Sequence, residues 1–260
     1  MRMDGRRVGE NRHVGVLHVF DMDGTLLYGS SASLQLARVL GNVDDLVALE
    51  AQLAAGEVDP PGFAAAAHGM WLELTPALVA AAFAASPWLT GIREVCADIR
   101  RRGEWSAVIT LSPDFFASHL LNLGFDDVVA SRFPPLPFMQ PPDPAGILTP
   151  LDKVRIVEDL RARYALSRSC CVAYGDSMSD VPLFRHLEVT IAVNADEHLD
   201  GLAATSYHGG DLTEAYALAR TLIPTSQCRP LPGPRHEAST TVATANTTTQ
   251  PNPTQPNLRG

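Results

Sequence analysis

The 260-residue chain contains one lysine, Lys153, against 19 arginines. It also lacks a surplus of positive charge. The formal net charge is −9, which argues against general nucleic-acid binding, whose footprint is a basic patch. No apolar run approaches the ~20 residues that a membrane-spanning helix requires. The four cysteines, Cys96, Cys170, Cys171 and Cys228, form no CxxC pair and no disulfide framework, so a reducing, cytoplasmic location is expected. The polar, basic residues 1–13 precede an apolar run that ends at once in acidic residues, a pattern unlike a signal peptide. With 46% hydrophobic residues, core material is ample for one large domain or one domain with an insert.

The apolar run, residues 14–20, is broken only by His18 and is too short for a helix of its own, so it reads as a buried strand. Phe20-Asp21-Met22-Asp23-Gly24-Thr25-Leu26 follows directly. On a strand end, positions i and i+2 point the same way, so Asp21 and Asp23 address one small volume. Two like charges that close repel, and a hard divalent cation such as Mg²⁺ relieves the repulsion. A calcium loop is excluded. Counted from Asp21, its glycine and its closing glutamate would fall on Leu26 and Ala32.

Residues 28–87 are alanine-rich, with Leu34, Ala37 and Leu40, then Leu46, Leu49 and Leu53, at helical spacing. They predict three or four helices inserted after the first strand, lying as a lid over the two carboxylates. Beyond Trp88 the pattern alternates. Strands are expected over 105–110, 127–130, 170–174 and 188–193, and helices over 91–102, 112–123, 177–186 and 211–222. Ser112 reads as the N-cap of the second of these helices, with Pro113 behind it. Residues 131–150 carry seven prolines and read as a loop or flap. Strands separated by helices imply right-handed crossovers, hence an α/β doubly wound parallel sheet with helices on both faces. The expected organisation is a flexible 1–13, a core of 14–27 and 88–223, a helical cap of 28–87, and a disordered Pro/Thr-rich tail of 224–260.

Lys153 sits in the first turn of a helix opening at Thr149-Pro150-Leu151-Asp152, a capping-box pattern. There the macrodipole disfavours a cation by a few tenths of a kcal/mol. Helix formation does not ask for it, whereas a bound phosphate would.

The FDMDGTL stretch resembles the first motif, DxDGT, of the haloacid dehalogenase superfamily of phosphohydrolases. The later motifs follow in the same order: Thr110 at a strand end, then Lys153, then Gly175-Asp176-Ser177-Met178-Ser179-Asp180. The match runs from residue 16 to about 205. The resemblance implies a Rossmann-like core and a Mg²⁺-dependent phosphomonoester hydrolase acting on a small phosphorylated metabolite. Asp21 would be the nucleophile that forms an aspartyl-phosphate, and Asp23 the general acid and base. Thr110 and Lys153 would bind the phosphoryl oxygens. Asp21, the backbone carbonyl of Asp23, Asp176 and Asp180 would serve the metal. No nucleic acid or membrane partner is expected, and the oligomeric state is left open.

The helical insert is similar to the C1 cap of the phosphoserine-phosphatase-like branch, with departures. Ser30 stands where that branch carries a glutamate. Residues 28–87 hold only one arginine, Arg38, and Thr110 is followed by Leu111 and Ser112 rather than glycines. The missing counter-charges point to a bulkier or less charged alcohol, with Phe63, Met70, Trp71 and Trp88 as candidate pocket walls. A strict phosphoserine phosphatase, a phosphotransferase using the same residues, and a non-catalytic binding protein are the competing readings. Asp23 argues against a dehalogenase.

Overall fold

The computed structural model describes residues 15–224 and 228. The expectations for residues 1–13 and for nearly all of 224–260 lie outside the described residues. In chain order the elements are β1 (Leu17–Phe20), β2 (Asp23–Gly24), β3 (Leu27–Tyr28), α1 (Ala32–Leu40), α2 (Val43–Ala54), α3 (Pro60–Met70) and α4 (Pro76–Ala85). There follow α5 (Ile92–Arg101), β4 (Trp105–Pro113), α6 (Asp114–Ala117), β5 (Asp127–Ser131), α7 (Pro150–Arg163) and β6 (Cys171–Gly175). The last are α8 (Val181–His186), β7 (Val189–Val193), β8 (Thr205–Tyr207) and α9 (Leu212–Leu222).

Six strands form one parallel sheet in the order β5-β4-β1-β6-β7-β8. The expected doubly wound α/β fold is present, with β8 as an additional edge strand that its three residues did not announce. β1 lies between β4 and β6, so both its faces are buried, and its side chains alternate between two cores. Val16 and Phe20 pack with Val108, Val172 and Tyr174 against α5 and α9. Leu17 and Val19 pack with Ala107, Ile109 and Ala173 against α7 and α8. From β1 the chain builds one side of the sheet, then recrosses to β6 on the other side. The crevice at that reversal lies beyond the carboxyl ends of β1, β4 and β6, where open α/β sheets bind ligands.

Helices α1–α4 stand over that end. Ser31, Asp59 and Thr75 cap α1, α3 and α4 by accepting backbone N–H bonds, and Pro60 and Pro76 occupy first-turn positions. The two ends of the insert are tied together, since Tyr28 N donates to Pro87 O (2.8 Å) and Leu89 N donates to Leu26 O (2.9 Å). Trp71 packs on Phe133 (5.7 Å between centroids) and edge-on to Phe115 (6.0 Å), which joins the helical insert to the segments around β5.

Two expectations are corrected here. β4 runs to Pro113, three residues past Thr110, so Ser112 is in a strand and Pro113 is the helix N-cap. The helix behind it is one turn, continued as a 3₁₀ segment Ser118–Leu123. The disulfide-free reading also fails. Cys170, just before β6, is bridged to Cys228, with Cα atoms 5.2 Å apart. A pairing across 58 residues leaves no local spacing signal. Cys96 and Cys171 are free, and burial pushes each thiol up to about 12.

His18, the polar break in β1, is fully buried. Nε2–H donates to Glu104 (3.2 Å), and Nδ1 accepts from the Tyr174 hydroxyl (3.0 Å) in the neutral imidazole. Arg220 ion-pairs with the same Glu104 (2.6 Å). Burial lowers the His18 pKa from its ordinary 6.5, with Glu104 opposing and Arg220 assisting. The unfolded chain therefore takes up a proton that the folded chain refuses. The imidazole's contribution is complete above 6.5 and is lost as pH falls below it. Wild type should lose stability between pH 7 and pH 5.5 more steeply than His18→Gln, by up to about 1.4 kcal/mol per pH unit. Urea unfolding at several pH values measures the two slopes, and equal slopes would remove His18 as the cause.

Candidate active site

Asp21 leaves the end of β1 with its N–H on Tyr174 O (2.9 Å), which fixes it between β4 and β6. Its carboxylate is 6% exposed, and Oδ1 accepts from Lys153 Nζ at 2.8 Å. Lys153 comes from the first turn of α7, which the Thr149–Asp152 capping box and Pro150 set in place. Its side chain is 1% exposed, and the ammonium also donates to Asp180 Oδ1 (2.7 Å) and Ser179 Oγ (3.2 Å). Burial works against this charge, yet Asp180 and Asp21 outweigh it and hold the Lys153 pKa above its ordinary value.

Asp180 lies in a 3₁₀ turn, Met178–Asp180, in a capping box with Ser177. Its Oδ2 accepts from the backbone of Asp176 (3.0 Å) and Ser177 (3.4 Å). Both Asp180 oxygens are thus already engaged. Asp176 accepts at Oδ1 from Thr25 Oγ1 (3.1 Å) and has no hydrogen bond at Oδ2 among the described residues. Oxygens of Asp21, Asp176 and Asp180 all lie within 4.8 Å of one another. Burial, then Asp21 and Asp180, push the Asp176 carboxyl up to about 9. Burial likewise raises Asp21 to about 7, with Lys153 opposing and Asp180 and Asp23 adding to the rise. Such crowding of hard oxygen donors fits a divalent cation, which would restore the ionised forms.

Asp23 faces the other way. Its Oδ2 accepts from Ser112 Oγ (2.7 Å) and Thr110 Oγ1 (3.1 Å). Its Oδ1 accepts from Ala32 N (2.6 Å), the first amide of α1. Burial raises its pKa, against the pull of those three donors. Its side chain is outside the three-carboxylate cluster, so only its backbone carbonyl remains available to a metal there.

The structure brings together all six residues expected from the sequence, Asp21, Asp23, Thr110, Lys153, Asp176 and Asp180. The Thr110 hydroxyl lies against Asp23. Thr110 is fully buried, donates to Asp23 and accepts from Ser112 N (3.1 Å), while Ser112 lines the cavity. A cavity of about 210 Å³ opens above Asp21 and Asp23, walled by Ser112, Ser177 and Ser179 below and by Phe63 and Trp71 of the insert above. An open cleft of about 910 Å³ reaches Asp23 and Asp176 from the solvent side.

A family model of haloacid dehalogenase-like hydrolases matches residues 18–185. The chain belongs to the haloacid dehalogenase-like hydrolases. No curated protein matches this haloacid dehalogenase-like hydrolase. Solved structures do. A phospho-aspartyl intermediate analogue of phosphoserine phosphatase is 21% identical, with TM-score 0.67, covering 79% of this chain and 99% of its own. A substrate-bound phosphoserine phosphatase is 20% identical, with TM-score 0.67, covering 78% and 98%. A HAD family hydrolase from Salmonella enterica serovar Typhi is 21% identical, with TM-score 0.69, covering 81% and 73%. These share the fold with the haloacid dehalogenase-like hydrolase described here.

Gly24 is what lets the acidic cluster of this haloacid dehalogenase-like hydrolase close. It has φ +74°, and a Cβ there would stand 2.0 Å from Asp176 Oδ2. Gly24→Ala combines a left-handed backbone with a clash that only displacement of Asp176 can relieve. The expected result is a loss of about 100-fold or more in kcat/KM, since a misplacement near 1 Å costs that much. A variant within a few fold of wild type would show that Asp176 is not held by this approach.

Proposed function

We propose that the protein is a Mg²⁺-dependent phosphomonoester hydrolase acting on a small phosphorylated metabolite through an aspartyl-phosphate on Asp21. The observation that carries this is the opposed pair of carboxylates: Asp21 pinned by Lys153 through one oxygen, and Asp23 turned toward the insert. Asp21 Oδ2, which accepts no hydrogen bond among the described residues, attacks phosphorus. The P–O bond to the alcohol breaks, and Asp23, poised toward its protonated form, gives its proton to the departing alkoxide. Water then attacks the aspartyl-phosphate, Asp23 takes the water's proton, and inorganic phosphate leaves with Asp21 regenerated.

Lys153, together with Ser112, Ser177 and Ser179, supplies positive and hydrogen-bonding groups for the phosphoryl oxygens as charge spreads in the transition state. Asp21, Asp176 and the Asp23 carbonyl would hold Mg²⁺, which when bound neutralises charge on the phosphoryl oxygens. Asp180, with both oxygens occupied, positions Lys153 and the turn that carries Asp176. Helices α1–α4 act as the cap that excludes water and contacts the alcohol. Among the described residues no helix is long and apolar enough to cross a membrane.

The test is release of phosphate from p-nitrophenyl phosphate with Mg²⁺, its loss in EDTA and its return on adding Mg²⁺. Full activity in EDTA would overturn the metal assignment, and no release under any divalent cation would overturn the reaction.

A further inference from the structure

α2 carries a carboxylate that the proposed chemistry does not use. Glu50 is half-buried, and its Oε1 accepts from Ser31 Oγ at 3.0 Å. Oε2 accepts no hydrogen bond among the described residues, and none of their cations lies within ion-pair distance of it. Glu50 lines both the inner cavity and the open cleft, as Asp23 does. An alcohol whose oxygen is protonated by Asp23 therefore passes Glu50 whichever way it points. Burial, with Asp23 adding to it, raises the Glu50 pKa against the Ser31 bond.

We propose that Glu50 reads the leaving group, and that the substrate is the phosphate ester of an amino alcohol whose ammonium sits on Glu50. This inference rests on the hydrolase reading above. Two observations select the cation. No lysine or arginine lines either the cavity or the cleft among the described residues. In the inner cavity a carboxylate or second phosphate on the alcohol would thus face Glu50 and Asp23 with no counter-charge, while the open cleft offers only the His208 imidazole. The inner walls are mostly Leu53, Phe63, Trp71 and Phe133, whose single polar atom, the unpartnered Trp71 Nε1–H, serves one hydroxyl and not the several of a sugar or cyclitol. A short alkylammonium satisfies both. Its charge meets Glu50 and the aromatic faces, its methylenes meet the apolar walls, and it fits a space of about 210 Å³.

The experiment compares kcat/KM of the full chain with Mg²⁺ for 2-aminoethyl phosphate, its trimethylammonium analogue, neutral 2-hydroxyethyl phosphate and phosphoserine. We expect at least one ammonium ester to exceed the hydroxyethyl ester by about tenfold or more, as befits a charge-assisted contact. Phosphoserine should fall below 2-aminoethyl phosphate, because its carboxylate has no partner. In Glu50→Gln the ammonium preference should collapse toward unity through a raised KM, and in Glu50→Asp it should be partly kept. The wild-type ratio tests the idea even if the variants fold poorly. A wild-type ratio under about threefold, or a preference that survives in folded Glu50→Gln, overturns the assignment. If the neutral ester is hydrolysed without an ammonium preference, only the leaving-group inference is lost. If no ester releases phosphate, both readings fall.

Discussion

Asp21→Asn should show no turnover of p-nitrophenyl phosphate and no burst of p-nitrophenol, whereas Asp23→Asn should show a burst followed by a slow steady state. The two carboxylates lie two residues apart but face different partners. Asp21 meets Lys153 and the other two acids, while Asp23 meets Ser112, Thr110 and the first amide of α1. An amide at 21 keeps the shape but has no lone pair able to displace the alcohol, and the loss should reach at least about 10⁴-fold, the scale seen when a nucleophile is removed. An amide at 23 cannot donate a carboxylic proton. p-Nitrophenolate departs without one, so the first half-reaction survives and phosphoryl groups collect on Asp21. The second half-reaction, which needs a base for water, then limits the rate. Rapid mixing would read a burst approaching one p-nitrophenol per protein molecule. With an alkyl ester, whose alkoxide needs the proton, the same variant should show no burst. A burst in Asp21→Asn would move the nucleophile elsewhere. Equal burst behaviour of both esters in Asp23→Asn would remove Asp23 as the acid.

Much of this site was legible because its signals are local. A buried strand followed by carboxylates at i and i+2 needs no tertiary information, and the register of β1 with β4 and β6 delivers Asp21 to the crevice as that pattern implies. Lys153 stood out by being alone, and its burial between two carboxylates suits a compact point charge. What escaped depends on where elements end or on contacts distant in sequence. Ser112 followed by Pro113 is a good helix start on paper. Because β4 continues through both, Ser112 projects beside Thr110 at strand spacing, and both hydroxyls reach Asp23. Glu50 belongs to no motif and was not singled out by the sequence. Only the packing of α2 on α1 and α3 brings it to the cavity and cleft that Asp23 also lines. Asp180, read as a metal ligand from its motif, does sit in one cluster with Asp21 and Asp176, and the contacts its oxygens also make, to Lys153 and to backbone amides, could not be read from that motif.

The largest stability effect is expected at the same lysine. Lys153→Met removes the one cation that Asp21 and Asp180 share among the described residues, and both carboxylates are nearly inaccessible to water. A buried ion pair is weak evidence of net stabilisation, but breaking one by deleting a partner leaves uncompensated charge and costs about 3–5 kcal/mol. Denaturant unfolding without metal should show a loss near the lower end, about 3 kcal/mol, because the carboxylates can take up protons instead of remaining charged. Catalysis should fall by about 10³-fold, since the phosphoryl oxygens lose their nearest fixed positive charge. Lys153→Arg should not rescue it. Three acceptors, on Asp21, Ser179 and Asp180, surround a compact ammonium, and a planar guanidinium can neither fit that space nor point donors at all three. The double variant Lys153→Met/Asp180→Asn separates the two effects. It removes one of the stranded charges while keeping an oxygen for the Asp176 and Ser177 amides, so part of the stability should return while kcat/KM stays low. If Lys153→Met unfolds within about 0.5 kcal/mol of wild type, the usual spread of surface substitutions, the three-way ion cluster does not hold the strand ends together.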